Sequence, residues 1–600
     1  MPSTSRSCLA TIPWFVLCLL TALGALVQPP SAWSQLRPVE QAEAVRSEVL
    51  GDAGAPPRTD PAEEEAEPDP TQDRTPLGVD FKMLRVIAHQ DQADPSPALG
   101  DQRIEIDAAV PAPPGLEEAL NPYLGQPVSM ATLAELARDV VNAWRESDYP
   151  LVDVYFPEQN ITEGKVQLVV REALLGGIRT EGERFTRPGY LEGQMRTRPG
   201  DRINRKRVER DLDWLNEHPM RLVNLIYDRG EADGTSDLIL QAQEEKPWIV
   251  YAGLANTGVR LTGENEWSAG FQWWNPLGFE HGIGYNITTD IDFETLQAHT
   301  GFYQALLPWR HHLQIIGAYV DTRVDSLGDT LLPIGVRGES FQVSADYRVP
   351  FGRVRSLGSL RQSIGLGIDY KLTNSDLLFD QISVFESDVA VFQARANYEA
   401  NWQDRFGVTQ VRLEATYSPG NLVANNDDES FQQVRDRARS DYFYATGEID
   451  RLVRLPADFG LRVRTLGQWS PSRLTSTEQM LAGGHLTVRG FDEYLVRGDS
   501  GVVLNVELTT PPIALIQHVV PTVNDRLQLL AFYDSAWLTA SNADPDFEPG
   551  SQIQGAGVGL RYRIGRNANA RLAYGWNVGD RGVIGDPGKG RLHFGVTVSY

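Results

Sequence analysis

From Trp248 to Tyr600 the chain alternates apolar and polar residues with a period of two. Leu592, Phe594, Val596, Val598 and Tyr600 fall on one side of the last segment. Arg591, His593, Gly595, Thr597 and Ser599 fall on the other. The same rhythm sets Ile364, Leu366, Ile368, Tyr370 and Leu372 against Gly365, Gly367, Asp369 and Lys371. It also sets Val411, Leu413, Ala415 and Tyr417 against Gln410, Arg412, Glu414 and Thr416. Period two is the signature of a β-strand with unlike faces. A β-sandwich core would also produce one apolar face. This pattern, however, runs on for about 350 residues, beyond the usual size of one sandwich. Its other face carries Arg, Glu, Asp and Gly, as the wall of a water-filled lumen does. Strands in lipid must pair every backbone group and therefore close on themselves. The pattern predicts a transmembrane β-barrel of about sixteen antiparallel strands over residues 247–600.

The rhythm differs upstream. Residues 81–88, 152–156 and 165–172 read as strands. A helix begins after Ser129 and carries Leu133, Leu136, Ala137, Val140 and Trp144 on one face. Strands are expected again at 175–180, 222–227 and 238–243, around a helix from Arg205 to Glu217 with the stripe Val208, Leu212, Leu215. Two small α/β modules in tandem are predicted, over residues 77–172 and 173–246. The stretch 51–76 is rich in Pro, Glu and Asp and cannot bury a core. Before it, residues 37–50 have weak helical spacing. Residues 1–34 read as a secretory signal peptide, with Arg6, an apolar run and Ala32-Trp33-Ser34 before Gln35.

Composition narrows the chemistry. Cys8 and Cys18 are the only cysteines, and both lie in the signal segment. Disulfides and thiolate sites are thus excluded from the exported protein. A formal net charge of -25 argues against nucleic acid as a partner. Gly498-Asp499-Ser500-Gly501 matches a tetrapeptide found at protease serines, but a triad needs much more. His311 and His312 are adjacent, so a strand would point them to opposite faces. No catalytic, metal or cofactor signature stands out, and the expectation is a non-enzyme without cofactor.

The most informative stretch is Val488-Arg489-Gly490-Phe491, within residues 470–500, which break the strand rhythm. Phe532-Tyr533-Asp534-Ser535-Ala536 follows on a later strand. A loop-borne Arg has no partner in lipid and must face water or protein, and Asp534 and Glu507 alternate to the inner side. A guanidinium–carboxylate fork there would be specific in geometry.

With its modules and barrel, the chain resembles the two-partner secretion transporters, the haemolysin secretion/activation proteins. These belong to the larger class of barrels that carry periplasmic POTRA domains. The resemblance implies that Arg489 tips a loop folded into the lumen and pairs with Asp534 of a Phe-x-Asp-x-Gly motif. Ala536 stands here in place of that motif's glycine. Phe156-Pro157-Glu158-Gln159 resembles the Pro-x-Gln stretch of the first POTRA domain, with Pro157 and Gln159 at the matching positions. Ser147-Asp148-Tyr149 stands where a Gly-Tyr pair is usual. Residues 37–50 resemble the family's plug helix.

The implied function is export of a large unfolded client of the adhesin, haemolysin or toxin type through the outer membrane of a Gram-negative cell. The modules would sit in the periplasm and capture the client by strand addition. A barrel-assembly factor is the alternative within the same superfamily, though such factors usually carry three or more modules. A passive porin or adhesin barrel is the alternative from another class.

Overall fold

The computed structural model describes residues 73–94, 103–324, 334–354, 359–379, 382–521, 523–542, 550–583 and 586–600. The expected signal peptide and the helical spacing at 37–50 lie outside the described residues. The described chain forms two units, one up to Lys246 and one from Pro247 to Tyr600.

The first unit holds two modules built alike. Module one contains β1 (Met83–Ile87), β2 (Ile104–Ile106), α1 (Leu116–Leu120), α2 (Met130–Glu146), β3 (Val152–Tyr155) and β4 (Lys165–Glu172). Its sheet order is β2-β1-β4-β3, with β1 parallel to β4 and β3 antiparallel to it. Module two contains β5 (Leu174–Glu181), α3 (Tyr190–Gln194), α4 (Arg205–Leu215), β6 (Arg221–Arg229) and β7 (Thr235–Glu244), in sheet order β5-β7-β6. Here β5 is parallel to β7 and β6 antiparallel, which repeats the β1, β4, β3 arrangement.

Local chemistry explains where the helices start. Ser129 Oγ accepts from Thr132 N, and Thr132 Oγ1 accepts from Ser129 N, a reciprocal cap on α2. Asn204 Oδ1 accepts from Arg207 N at the start of α4. The predicted stripe of α2 turns Leu136, Val140 and Trp144 into a core with Leu84, Val86, Val166 and Leu168. Short β2 was not among the expected strands; Ile104 and Ile106 are too few to show a period.

Asp148 explains the departure from Gly-Tyr. It follows the end of α2 with φ +69°, a left-handed position where glycine is favoured and Asp is tolerated. Its carboxylate then reaches module two, 2.8 Å from Arg205 and 2.7 Å from Lys206. Arg202 pairs with Glu172 and lies 3.9 Å over the Tyr149 ring, which tightens the same junction.

The second unit is a closed antiparallel barrel. Its strands up to the long loop are β8 (Trp248–Ala255), β9 (Glu266–Trp274), β10 (His281–Asp290), β11 (Leu296–Leu306), β12 (His312–Val324), β13 (Ile334–Pro350), β14 (Ser359–Phe379), β15 (Ile382–Asp404), β16 (Gly407–Pro419), β17 (Asp441–Arg454) and β18 (Gly460–Trp469), with helix α5 (Asp428–Val434) between β16 and β17. Within the loop lie β19 (Met480–Ala482) and β20 (Val496–Gly498). The wall continues with β21 (Ser500–Thr509), β22 (Asp525–Thr539), β23 (Ser551–Ile564), β24 (Ala568–Arg581) and β25 (Gly590–Ser599). The sixteen wall strands are β8–β18 and β21–β25, and β25 closes on β8 from Gly595↔Ala255 to Ser599↔Tyr251.

The wall is turned inside out relative to a soluble core. Ile364, Leu366 and Ile368 are exposed, while Asp369 and Lys371 are buried. Leu592, Val596 and Val598 are exposed, while His593 is buried. Trp309, Trp402 and Phe406 lie exposed toward the end that holds the chain terminus. Trp469, Trp537 and Trp576 lie toward the other end, as two aromatic girdles would.

The junction between modules generates a prediction. Burial alone would raise the Asp148 carboxyl, but hydrogen bonds from Lys206 and Arg205 hold it below its usual value. Its contribution is therefore complete above about pH 3.9 and is lost as pH falls through the folded value. Limited proteolysis of the full chain between residues 172 and 205 should speed up in Asp148→Asn. It should speed up in the wild type on acidification, and by less in the variant, where only the Glu172–Arg202 pair is left to titrate.

Candidate functional site

The connection from β18 to β21 leaves the barrel end opposite the C-terminus. It then folds back inside the wall as a small hairpin, in which β19 pairs with β20 from Met480↔Gly498 to Ala482↔Val496. An apolar cluster seats it. Val488 and Phe491 are fully buried with Met480 and Val496 against Val503, Ala536, Leu538 and Ile553 of the wall. These wall side chains explain why the Asp534 face is mixed rather than wholly polar. Ala536 contributes here as a buried apolar contact, in place of the motif's glycine.

Arg489 anchors the tip. Its Nε and Nη2 donate to Asp534 at 2.8 and 3.0 Å, and its backbone N donates to the same carboxylate at 3.1 Å. Its Nη1 donates to Glu507 at 2.9 Å, and Arg561 donates to Glu507 from the other side at 2.9 Å. The two cations and two carboxylates thus alternate, and no charge in the row lacks an opposite neighbour. Asn505, opposite Asp534 in the β21–β22 ladder, adds a bond of 2.9 Å to Asp534. The Arg489 guanidinium stacks 3.6 Å over the Phe532 ring. Asp534 is wholly buried, so this fork operates away from bulk water. The structure thus brings Arg489, Asp534, Phe532 and Glu507 together.

Glycines let the loop backbone touch the wall. Gly490 has φ +100°, which excludes most side chains. Opposite it, a Cβ on Gly575 would lie 2.5 Å from Gly490 N, and one on Gly555 would strike the Arg489 carbonyl. The glycines of β23 and β24 therefore include seats for the loop. Gly490 N donates to His593 Nε2 at 3.0 Å, and Asp492 pairs with Arg260 at 2.8 Å and with Arg591.

The protease-like tetrapeptide lies at the loop base. Ser500 Oγ accepts from Ser470 N at 2.9 Å, and the buried Asp499 carboxylate accepts from Arg435 and from Ser541 N. His312 is buried, whereas His311 bonds the exposed Tyr347. In module one, Pro157 is buried. Gln159 donates to Gln167 O and accepts from Gln167 N, both at 2.7 Å. Because β3 pairs only with residues 169–172 of β4, the Gln159 amide extends that ladder where the strand is absent.

The profile of the haemolysin secretion/activation protein family ShlB/FhaC/HecB matches residues 234–562, more than half of the chain. The chain belongs to this family. A POTRA domain profile of the ShlB type matches residues 102–173 as well. Among curated relatives, the outer membrane transporter CdiB-2 of Burkholderia pseudomallei is 24% identical over 65% of this chain and 66% of its own length. The heme/hemopexin transporter protein HuxB of Haemophilus influenzae is 20% identical over 70% of this chain and 72% of its own length. Among solved structures, CdiB from Escherichia coli superposes with a TM-score of 0.72 at 17% identity, covering 96% of this chain and all of the other. Like its family, the chain is an outer-membrane barrel protein with a POTRA module. The named relatives are transporters.

Seating of the tip against bare backbone gives a direct test. In Gly575→Ala the added methyl meets loop backbone that cannot rotate away, a clash of the kind that costs about 1–3 kcal/mol. Protease access to residues 483–495 in folded barrels should rise several-fold. Gly301→Ala, with nothing nearer than 3.6 Å, should behave as wild type.

Proposed function

We propose that this chain exports one large, unfolded partner protein of the adhesin, haemolysin or toxin type across the outer membrane. Two periplasmic modules, over residues 77–172 and 173–246, hold the client extended. The barrel over residues 247–600 provides the route, and the loop at 470–500 is the plug that clears it. The observation that carries this reading is the loop in the lumen, tied by Arg489 to Asp534 and Glu507. A loop locked into the lumen by Arg489 and Asp534 favours a gated pore over a permanently open porin. Two modules rather than three or more favour export over barrel assembly.

Strand addition needs free sheet edges. β6 is an edge of the second module, and Ile226 and Tyr227 on it are exposed. No bond-making chemistry is asked of the chain. Arg489 and its carboxylates hold and release, and folding of the client outside the cell prevents its return. The Gly498–Gly501 segment anchors the base of the loop through Asp499 and Ser500 rather than forming a nucleophile site.

Secretion of a candidate client tests this reading, with barrel assembly followed by heat-modifiable migration. Arg489→Ala, which leaves the buried Asp534 without its cation, and deletion of residues 81–245 should each leave assembled barrels but cut export by about tenfold or more. Normal export with failed assembly of other outer-membrane barrels would transfer the chain to the assembly class.

A further inference from the structure

The Arg489 anchor holds the tip of the loop. A different group holds its incoming limb. Glu478, just before β19, is buried against the wall with its side chain 1% exposed. Lys371 of β14 donates to its Oε1 at 2.6 Å, while Gln393 of β15 and Tyr444 of β17 donate to its Oε2 at 3.1 and 2.9 Å. The Gln393 amide is oriented in turn: it also donates to Asp369 at 2.9 Å, and its oxygen accepts from Tyr442 at 2.7 Å. The wall thus presents a prepared cationic seat for one loop carboxylate.

This seat mirrors the first with the signs exchanged. At the tip the loop brings the cation and β21–β22 bring carboxylates. At the limb the loop brings the carboxylate and β14–β17 bring the donors. β18 separates the two wall sectors. We propose that Glu478 is a second latch, independent of Arg489 and opposite in charge, and that the lumen clears only when both release. The proposal rests on reading the loop as a plug.

The physics suits a latch better than a permanent joint. A buried ion pair gains little over its solvated parts, because both charges lost water to form it. When the loop leaves, water fills the lumen and rehydrates both partners. Removing one partner while the loop stays is costly, since it strands the other in a dry site. Each latch is therefore strong against loss of its partner and modest against concerted release.

The test is the fraction of time that the purified full chain spends in its large-conductance state in planar bilayers. Glu478→Gln and Lys371→Met should each raise it by about tenfold, which corresponds to about 1.4 kcal/mol. Together they should raise it no more than the larger single change, because they break one contact. Glu478→Gln combined with Arg489→Ala should multiply to about a hundredfold, because the latches are separate. Tyr444→Phe, which removes one donor and keeps the ring, should raise it several-fold and serves if Glu478→Gln fails to assemble. Wild-type behaviour of Glu478→Gln, Lys371→Met and Tyr444→Phe would overturn the proposal. So would an Arg489→Ala channel that Glu478→Gln opens no further. A chain that follows this cycle while exporting no client would leave the latch standing and remove the transport reading.

Discussion

A strand that crosses hydrocarbon has no water to satisfy its backbone, and this constraint sets most of the structure. It forces the sheet to close, so β25 must find β8. Closure turns the apolar faces outward to lipid and leaves a polar interior. An interior ringed by sixteen strands is too wide for wall side chains alone to fill. The long loop enters that space, and its own polar groups then need partners. Arg489, Glu478 and Asp492 are each met by opposite charge from a different stretch of wall. The charge pairs follow from closure as much as the girdles do.

Polar contacts also give the loop a character that an apolar plug would lack. The cluster around Val488 and Phe491 supplies cohesion without direction. The forks to Asp534 and Glu507 supply direction, since a guanidinium accepts few geometries. Gly555 and Gly575 remove side chains where the loop backbone must lie against the wall. The result is a specific seat that water can take apart.

Much of this was legible in the sequence because period two is hard to imitate over hundreds of residues. The outward set at Ile364, Leu366 and Ile368 and the inward Asp369 follow from alternation alone. The module helices were legible through caps such as Ser129 and through apolar stripes. Arg489 and Asp534 were legible through motifs, and Glu507 through its place in the alternation. Glu478 and Lys371 were not, because each reads as one more polar residue and they stand 107 positions apart. The reach of Asp148 to the second module was hidden as well. Its motif position showed only an absent glycine, and the gain in charge pairing appears only when Arg205 and Lys206 are brought beside it. Gln159 carried a motif signal but no mechanism until the end of β3 left Gln167 unpaired by strand.

A plug loop must leave the lumen when a client passes. Spin labels at Leu486 on the loop and Ile315 on the outer wall, both accessible, would report it. Resting barrels should give one narrow distance distribution, and barrels carrying a client stalled in transit should give a second, displaced one. An unchanged distribution with the client in place would mean that the polypeptide passes beside a fixed loop, and that the charged seats are structural joints rather than latches.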